Sequence, residues 1–440
     1  MDDPTLKFSD GQKAALTKIR SRRCNVFLTG MAGTGKSFVV QHYIAELPED
    51  APVAVCATTG IAALNLQDNV RRFCGREIPA HTIYRWAGIG IGPRAGQTDS
   101  DFIRERLDDR SPHAFAARAR IRRTEQLVID EISMLPGKIF SLLDRLFRVV
   151  RNNPIQPFGG MSVVVVGDFL QLPPPSSTGV YDWAFLSPSW EAAEFHSHYL
   201  QEVFRQNDKG FIDILNDFRL GRLRGESARI VQSRIAVFPS AKIVRLFTHN
   251  VQVDHWNDAK LACIEDQPEI IFKAEIGGDA SEANLLRKNI VTPETLRLKI
   301  GARVMITANQ TVGGHLLAAN GETGTVADID TENETVRILK DNGEEFLADR
   351  FTWRYDRRRP GSGYFAQLPL RLAYAMTIHK SQGLTLDAAV ADIRAARDPG
   401  QAYVAVSRVR TLDGLWLKDS VTGIFVSNEA IALYKKLSRS

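Results

Sequence analysis

At about 100–200 residues per domain, the 440 residues of the chain have room for two to four domains. Hydrophobic residues make up 44% and charged residues 24%, a balance that supports a substantial packed core and excludes wholesale disorder. The formal net charge of +5 is a weak bias and does not by itself indicate a nucleic-acid partner.

The four cysteines are far apart and show no C-x-x-C spacing, which gives no signal for a zinc site or a disulfide framework. The amino terminus has no positively charged segment followed by an apolar stretch, and no uncharged apolar run reaches about 18 residues. We therefore expect a cytoplasmic protein of a reducing compartment, without a secretion or membrane signal.

Short apolar runs alternate with helical patterns in the first third of the chain, which predicts parallel α/β units. The predicted strands are Asn25–Thr29, Val53–Ala57, Leu127–Ile129 and Ser162–Val166. Between the last two strands, apolar residues recur at three- and four-residue steps and predict an amphipathic helix with one face on the sheet. These residues are Ile139, Leu142, Leu143, Leu146, Phe147 and Val150. A second α/β domain is predicted from strands at Ile243–Thr248, Ala388–Ala391 and Gly414–Leu417.

Two stretches interrupt this alternation of strands and helices and are predicted to be inserts. Residues 91–123 are polar and rich in arginine, with Arg118, Arg120, Arg122 and Arg123 close together. Residues 320–370 contain turn signals and alternating segments that predict a small β-barrel or hairpin insert. We thus expect a first domain at 1–90 and 124–200 and a second at 201–319 and 371–440.

A phosphate-binding loop is predicted at Gly30–Ser37, which matches G-x-x-x-x-G-K-[ST] between a strand and a helix. Backbone N–H groups of such a loop converge on phosphate oxygens at a helix amino terminus. Lys36 is expected to reach the β- and γ-phosphates of ATP, and the Ser37 hydroxyl is expected to bind Mg²⁺. The other predicted loop residues are Gly30, Gly33, Thr34 and Gly35. The alternative is a chance glycine turn in an unrelated α/β protein.

Two further strand ends carry polar groups that suit phosphate chemistry. Asp130 and Glu131 follow an apolar strand, where Asp130 is expected to hold Mg²⁺ and Glu131 to deprotonate the attacking water. Gln171 lies in the turn after Ser162–Val166, and its amide could detect a γ-phosphate. An acidic pair at a strand end is common in proteins of many functions. These two motifs indicate a nucleotide site only because the loop at Gly30–Ser37 precedes them.

The sequence resembles the petite-integration-frequency (Pif) helicases, in the branch of superfamily one shared with RecD and Dda. The resemblance covers nearly the whole chain, and its most diagnostic part runs from Phe140 to Pro174, including the GDFLQLPP turn. Other matching segments are Phe8–Gln12, Thr58–Ala63, His81–Ile83, Tyr199–Gln206, Leu298–Met305, Asn320–Gly324, Thr377–Gly383 and Ala402–Arg408. The resemblance implies two RecA-like P-loop motor domains in tandem. The first would contain a small wedge insert at 91–123, and the second a small β-barrel insert at 320–370.

The resemblance also implies roles for individual residues. Gln12 would read the adenine, Arg205 and Arg408 would reach the γ-phosphate as arginine fingers, and Gln382 and Gly383 would couple the nucleotide to DNA. Contacts to single-stranded DNA are implied for Thr59, His81, Thr82, His379 and Ser381. Both fingers are expected to come from the second domain.

The resemblance therefore predicts an ATP-dependent helicase that moves 5′ to 3′ on single-stranded DNA and unwinds tailed or forked duplexes, as a monomeric motor. Roles in DNA repair, recombination and telomere maintenance are typical of the family. The alternative is a DNA-stimulated ATPase that acts as a switch or loader. The run Arg357–Arg359, close to Trp353 and Tyr355, suits a single-strand groove or a solvated loop.

Overall fold

The computed structural model describes residues 8–75, 78, 80–90, 92–94, 96–176, 178–206, 208–235, 243–312, 315–318, 320–355 and 360–438. The chain divides into two compact units, and each contains a parallel α/β core. The first unit comprises Met1–Arg205, Asp398–Gly400 and Val426–Ser440, and the second comprises Gln206–Arg397 and Gln401–Phe425. The predicted tandem of two α/β domains is confirmed.

The first unit is built on a parallel sheet that, within the described residues, has six strands in the order β3-β2-β4-β5-β1-β6. The strands are β1 Val26–Gly30, β2 Val53–Ala57, β3 Ala80–Thr82, β4 Gln126–Asp130, β5 Ser162–Val166 and β6 His196–Leu200. β2 and β5 have the predicted bounds, and the ends of β1 and β4 differ from the prediction by one residue. Because the strands are parallel, their carboxyl ends meet at one edge.

Helices connect these strands and cover the sheet. They are α1 Asp10–Ser21, α2 Lys36–Glu46, α3 Gly60–Cys74, α4 Ile83–Trp86, α5 Asp99–Asp108, α6 Pro112–Arg123, α7 Gly137–Val150 and α8 Pro188–Ala192, with 3₁₀ segments at Ile132–Met134, Pro157–Gly160 and Ala184–Leu186. The insert predicted at 91–123 contains α5 and α6, with Thr98 and Ser111 as their N-caps. Among the described residues, no helix has the length and apolar character needed to cross a membrane.

The predicted amphipathic helix is confirmed as α7, and a buried carboxylate ties it to the loop that follows. Asp144 accepts hydrogen bonds from Arg148 at 2.9 Å, from the Phe158 N–H at 2.6 Å and from the Ser189 hydroxyl at 2.9 Å. Phe158 has φ of 52°, a backbone conformation that is strained for a bulky residue. The Asp144 carboxylate therefore stabilises a turn that the local sequence alone would not favour.

The second unit contains helices and a long run of short strands. The helices are α9 Lys209–Leu220, α10 Gly225–Ser233, α11 Asn250–Ala262, α12 Ala280–Asn289 and α13 Gln401–Val406, with a 3₁₀ segment at Leu412–Gly414. The strands are β7 Val244–Phe247, β8 Ile270–Lys273, β9 Glu275–Gly277, β10 Thr295–Leu298, β11 Arg303–Ile306, β12 Gln310–Val312, β13 His315–Ala318, β14 Thr323–Asp330, β15 Thr335–Lys340, β16 Glu345–Ala348, β17 Phe351–Arg354, β18 Tyr364–Gln367, β19 Leu370–Leu372, β20 Ala375–Thr377, β21 Ala389–Ala391 and β22 Leu415–Leu417. The parallel sheet has the order β20-β7-β21-β22 and contains the three strands predicted for this domain.

The antiparallel part of this unit is larger than the insert predicted at 320–370. One sheet has the order β16-β15-β14-β11-β19, so β11 and β19 extend it beyond both predicted bounds. The β8–β10 pair packs on the same core through Phe272 and Leu298. A further sheet has the order β17-β18-β9. The prediction started too late because β11 pairs with β14 and β19, which are not its neighbours in the chain, so its position in the sheet has no local signal.

The predicted assignment of the whole carboxyl-terminal segment to the second domain is wrong. Residues from Val426 onward belong to the first unit, and they form α14 at Asn428–Leu437. The Tyr434 side chain of α14 hydrogen-bonds to Thr29 and Phe169, and Ala430 is fully buried. The apolar pattern of an amphipathic helix shows that one face is covered, but it does not show by which unit.

We expect Asp144→Ala to lower the free energy of unfolding by about 2–4 kcal/mol, because the buried Phe158 N–H loses its acceptor and Arg148 loses its charged partner. Val149→Ala is a matched control on the same helix, since Val149 is 49% exposed, and we expect a change below about 0.5 kcal/mol. Urea denaturation of the wild type and both variants measures this difference. Equal midpoints for Asp144→Ala and the wild type would contradict the assigned role.

Candidate nucleotide and DNA site

The predicted phosphate loop lies between the carboxyl end of β1 and the first turn of α2. Gly35 has φ of 79°, and a Cβ at this position would lie 2.5 Å from the Gln12 amide nitrogen. Gly30 is similarly restricted, since a Cβ there would lie 2.5 Å from the Leu200 carbonyl oxygen. Glycine is thus required at both positions by conformation and by space, as expected for a loop whose backbone approaches a ligand closely.

Lys36 and Thr34 make hydrogen bonds within this loop. The Lys36 ammonium donates to the carbonyl oxygens of Gly30 at 2.8 Å and Met31 at 2.9 Å. The buried Thr34 hydroxyl donates to the Met31 carbonyl at 2.9 Å. The Ser37 side chain is exposed at the start of α2. These contacts place one cation and one accessible hydroxyl at the amino terminus of a helix, where anions are stabilised.

Gln12 is buried and connects α1 to the phosphate loop. Its side-chain oxygen accepts from the Ser9 N–H at 3.1 Å, and Ser9 in turn caps the helix, which forms a reciprocal capping box. The Gln12 amide nitrogen donates to the Thr34 carbonyl at 3.2 Å. This structural role was missed from the sequence, although the spacing Ser9-x-x-Gln12 is its signal. The adenine contact of Gln12 stays a prediction.

The two predicted acidic residues lie together at the carboxyl end of β4. The Asp130 carboxylate accepts from the Glu131 N–H at 2.8 Å, and the Thr58 hydroxyl donates to the Glu131 carbonyl at 2.9 Å. Glu131 has φ of 55° and ψ of 44°, a left-handed conformation that costs energy outside glycine and often occurs at functional sites. Thr58 therefore helps to hold the strained backbone at Glu131.

Electrostatics distinguish Asp130 from an ordinary surface carboxylate. Burial, reinforced by the neighbouring Glu131 charge, raises the pKa of Asp130 to about 7, and the Lys36 cation acts in the opposite direction. The three charged groups are therefore close enough to influence one another. A divalent cation would relieve the repulsion between the two carboxylates, so the donor set fits Mg²⁺.

An Mg²⁺ ion bound with ATP does not require a protein cage, since it usually takes one or two carboxylates together with phosphate oxygens and water. Within the described residues there is no cluster of three or more His, Cys, Asp or Glu side chains able to hold a metal. Asp130 and Ser37 are the oxygen donors that would complete such a site.

Gln171 completes the group at this edge of the sheet. It lies after β5, the strand between β4 and β1, and it is 6% exposed. The turn is closed by the Gln171 N–H, which donates to the Asp168 carbonyl at 2.9 Å. The adjacent strands β1, β5 and β4 thus bring Lys36, Gln171 and the Asp130–Glu131 pair to one edge, as the sequence predicted.

The predicted DNA contacts of the first unit also follow parallel strands. Thr59 comes after β2, and His81 and Thr82 are the last residues of β3, which pairs with β2. The two threonine hydroxyls act as helix caps, since Thr59 accepts from the Ala62 N–H and Thr82 from the Arg85 N–H. The structure brings these residues to one edge, and their contacts with DNA stay predictions.

The second unit contains the other predicted DNA residues after β20. His379 is exposed, and the Gln382 N–H donates to its carbonyl at 3.2 Å. Gly383 is exposed with φ of 81°. Ser381 differs, because it is fully buried and its hydroxyl donates to the Ile378 carbonyl at 2.8 Å. The position of Ser381 supports a role in shaping the turn, and it gives no support to the predicted direct contact.

The two predicted arginine fingers lie in different units, which corrects the expectation that both belong to the second. Arg205 ends the first segment of the first unit, directly after Phe204, whose N–H donates to the Gly33 carbonyl at 2.8 Å. Arg408 belongs to the second unit, where its buried guanidinium donates to the Val404 carbonyl and the Ser407 hydroxyl, each at 2.8 Å. The hydrogen bond of Phe204 to the phosphate loop keeps residues 201–205 with the first unit, beyond the predicted boundary at residue 200.

The arginines of the 91–123 insert are used largely within the fold. Arg118 donates to the carbonyl oxygens of Arg106 and Asp109, Arg120 donates to that of Trp86, and Arg122 to that of Val150. Arg357–Arg359 lie outside the described residues. The arginines clustered in this insert therefore mainly join helices and loops of the fold, and only a minor part of the cluster is available to bind phosphate.

We expect the contribution of Asp130 to the stability of the nucleotide-free protein to fall as pH rises from about 4 to about 7, because a carboxyl whose pKa is raised on folding is protonated only in the folded state across this window. Asp130→Asn removes this loss, so the variant should gain about 1–4 kcal/mol over the wild type at pH 8 and much less at pH 4. Thermal unfolding at the two pH values measures the gain. Asp213→Asn, at an exposed position on α9, is the control and should show no pH-dependent gain. A gain that is equal at both pH values would contradict the prediction.

Comparison with known proteins gives consistent matches. The PIF1-like helicase family model matches residues 7–229. The ATP-dependent DNA helicase Pif1 of Bdellovibrio bacteriovorus is 36% identical over 435 residues, covering 98% of this chain and 92% of that protein. The Pif1 helicase of Candida albicans has a similar structure, with a TM-score of 0.75, 30% identity and coverage of 98% of this chain and 100% of that one.

A Bacteroides Pif1 structure in complex with ADP-AlF3 and ssDNA is also similar, with a TM-score of 0.65, 28% identity and coverage of 99% of this chain and 98% of that one. The family match in the first unit includes the phosphate loop, the Asp130–Glu131 pair and Gln171, while the relatives match across both units. The chain belongs to the PIF1-like helicase family.

Proposed function

We propose that this chain is an ATP-dependent DNA helicase that moves 5′ to 3′ on single-stranded DNA and unwinds tailed or forked duplexes as a monomer. The observation that carries the proposal is the convergence of Lys36, the Asp130–Glu131 pair and Gln171 at one edge of the first sheet. The family's named members are ATP-dependent DNA helicases, and the direction of movement rests on the resemblance to the Pif, RecD and Dda branch.

In the proposed hydrolysis reaction, the loop amides bind the phosphates and Lys36 neutralises the β- and γ-phosphate oxygens. Mg²⁺, held through Ser37 and Asp130, would supply further positive charge at the phosphates. Glu131 accepts the proton of the water that attacks the γ-phosphate, and Gln171 hydrogen-bonds to the γ-phosphate or to that water. The strained Glu131 backbone supports this proposal, since strained backbone often occurs at functional sites and sets the direction of the Cα–Cβ bond that carries the carboxylate.

Arg205 and Arg408 are proposed to stabilise charge at the γ-phosphate from the two units. Phe204, the residue before Arg205, is hydrogen-bonded to the phosphate loop, so the backbone that leads into Arg205 is anchored on the first unit. Arg408 depends on the second unit, where four described groups accept its hydrogen bonds. We expect the contribution of Arg408, more than that of Arg205, to respond if DNA rearranges the units. Gln382 and Gly383 are proposed to transmit such a rearrangement.

Single-stranded DNA is proposed to contact Thr59, His81, Thr82 and His379. The α5–α6 hairpin is proposed as the wedge that separates strands, because Phe115 on α6 is an apolar side chain with 67% of its surface exposed. An exposed aromatic ring can stack on an unpaired base. A loader or switch without movement on DNA would share the nucleotide site, and strand displacement distinguishes the two functions.

We expect the wild type to displace a strand from a duplex with a 5′ tail and not from one with a 3′ tail, in the presence of ATP and Mg²⁺. Lys36→Ala should lower ATP turnover by about 10²–10³-fold and open neither duplex, because the cation on the β- and γ-phosphates is lost. Fluorescence of labelled duplexes under single-turnover conditions measures both effects. A hyperbolic dependence on enzyme concentration supports a monomer, while preferential opening of the 3′-tailed duplex contradicts the proposed direction.

We expect Arg205→Ala to lower the basal and the DNA-stimulated rate of ATP hydrolysis by the same factor, about 10³-fold. The physical reason is that the backbone next to Arg205 is hydrogen-bonded to the phosphate loop of the same unit through the Phe204 N–H, so we expect Arg205 to act on the phosphates with or without DNA. Steady-state hydrolysis with and without single-stranded DNA measures the two factors. Lys209→Ala, at an exposed position nearby, should leave both rates unchanged. A loss confined to the DNA-stimulated rate would show that Arg205 acts only in a DNA-bound arrangement.

A further inference from the structure

The Tyr434 hydroxyl lies between two segments of the proposed nucleotide site. It is 2.6 Å from the Thr29 Oγ1 atom and accepts a hydrogen bond of 3.1 Å from the Phe169 N–H. Thr29 directly precedes Gly30 on β1, and Phe169 is two residues before Gln171 in the turn after β5. One side chain from the last helix of the chain thus connects the phosphate loop to the Gln171 turn.

This connection begins where the strand ladder ends. The last paired residues of β1 and β5 are Leu28 and Val166, followed by a hydrogen bond from the Gly167 N–H to the Leu28 carbonyl at 3.1 Å. Beyond that bond, the chain after β1 continues into the phosphate loop, and the chain after β5 continues into the turn that contains Gln171. Tyr434 therefore supplies a cross-link that β-sheet pairing no longer provides.

Burial makes the two hydrogen bonds of the Tyr434 hydroxyl important for the spacing between Thr29 and Phe169. Thr29 and Phe169 are fully buried and Tyr434 is 9% exposed, so water cannot readily replace a missing partner. The Tyr434 ring packs against Tyr199, with ring centroids 5.9 Å apart at an interplanar angle of 65°. The ring is thereby held in place, and the hydroxyl reaches both partners from a fixed position.

We propose that Tyr434 is a positioning residue for ATP hydrolysis, whose hydroxyl sets the spacing between the phosphate loop and the Gln171 turn. The inference rests on the proposed function. In the proposed site the loop and the first turn of α2 bind the α- and β-phosphates, whereas hydrolysis requires Lys36 and Gln171 to act on one γ-phosphate together. Loss of the hydroxyl should therefore reduce turnover and leave nucleotide affinity intact.

Tyr434→Phe tests this inference because it keeps the ring and removes only the hydroxyl. We expect kcat for DNA-stimulated ATP hydrolysis to fall about five- to tenfold, the effect of one lost buried hydrogen bond on a rate constant. The KM for ATP and the Kd for ADP should stay within about twofold of the wild-type values. Steady-state kinetics and fluorescence titration with a labelled ADP measure these quantities.

Tyr43→Phe is the matched control. Tyr43 is 2% exposed on α2, and its hydroxyl also joins two groups, accepting from Arg22 and donating to Gln126 at the amino end of β4. It lies at the edge of the sheet opposite the nucleotide site, so its loss should lower the melting temperature and leave kcat unchanged. An equal fall of kcat in both variants, or no fall in Tyr434→Phe, would overturn the inference.

A double-mutant cycle with Thr29→Val provides a second readout. If the two hydroxyls act through one hydrogen bond, the double variant should be no slower than the slower single variant, whereas independent effects would multiply. Multiplied losses would overturn the inference. A wild type that hydrolyses ATP without opening a tailed duplex would contradict the helicase proposal alone, because the Tyr434 comparison is made on hydrolysis.

Discussion

Parallel alignment of β4, β5 and β1 is the constraint on which the nucleotide site depends. These three adjacent strands end at the same edge of the sheet, and each is followed by a different polar segment. The segments are far apart in sequence, yet strand pairing at about 4.8 Å brings their first residues within reach of one triphosphate. No individual motif creates the site, because each contributes only one side of it.

The same edge carries an energetic penalty that the nucleotide complex could remove. Asp130 is buried beside Glu131, which raises its pKa to about 7, and the Glu131 backbone is held in a left-handed conformation. Both features disfavour the nucleotide-free fold near neutral pH. The buried pair of carboxylates favours a bound divalent cation, so the local instability and the proposed metal binding have the same cause at Asp130.

Much of the fold could be predicted because its signals are local. The bounds of β2 and β5 follow from apolar runs, and Lys36 follows from a fixed motif at a strand–helix junction. The errors concern partners distant in sequence. Neither the pairing of β11 with β19 nor the packing of α14 on the first unit has a local signal. Arg205 was assigned to the wrong unit because the prediction placed the boundary at the end of a strand, before the contact of Phe204 with Gly33.

The turn that contains Gln171 shows why such distant contacts matter for function. Gly400 packs directly against it, since a Cβ at residue 400 would lie 2.5 Å from the carbonyl oxygens of both Leu170 and Gln171. Tyr434 holds the same turn through the Phe169 N–H. The phosphate loop, the Asp130–Glu131 pair and Gln171 thus all lie before residue 172, but two segments from the last tenth of the chain hold one side of this group in place. The geometry at this edge of the sheet therefore depends on residues near the end of the chain, although its polar side chains lie in the first part.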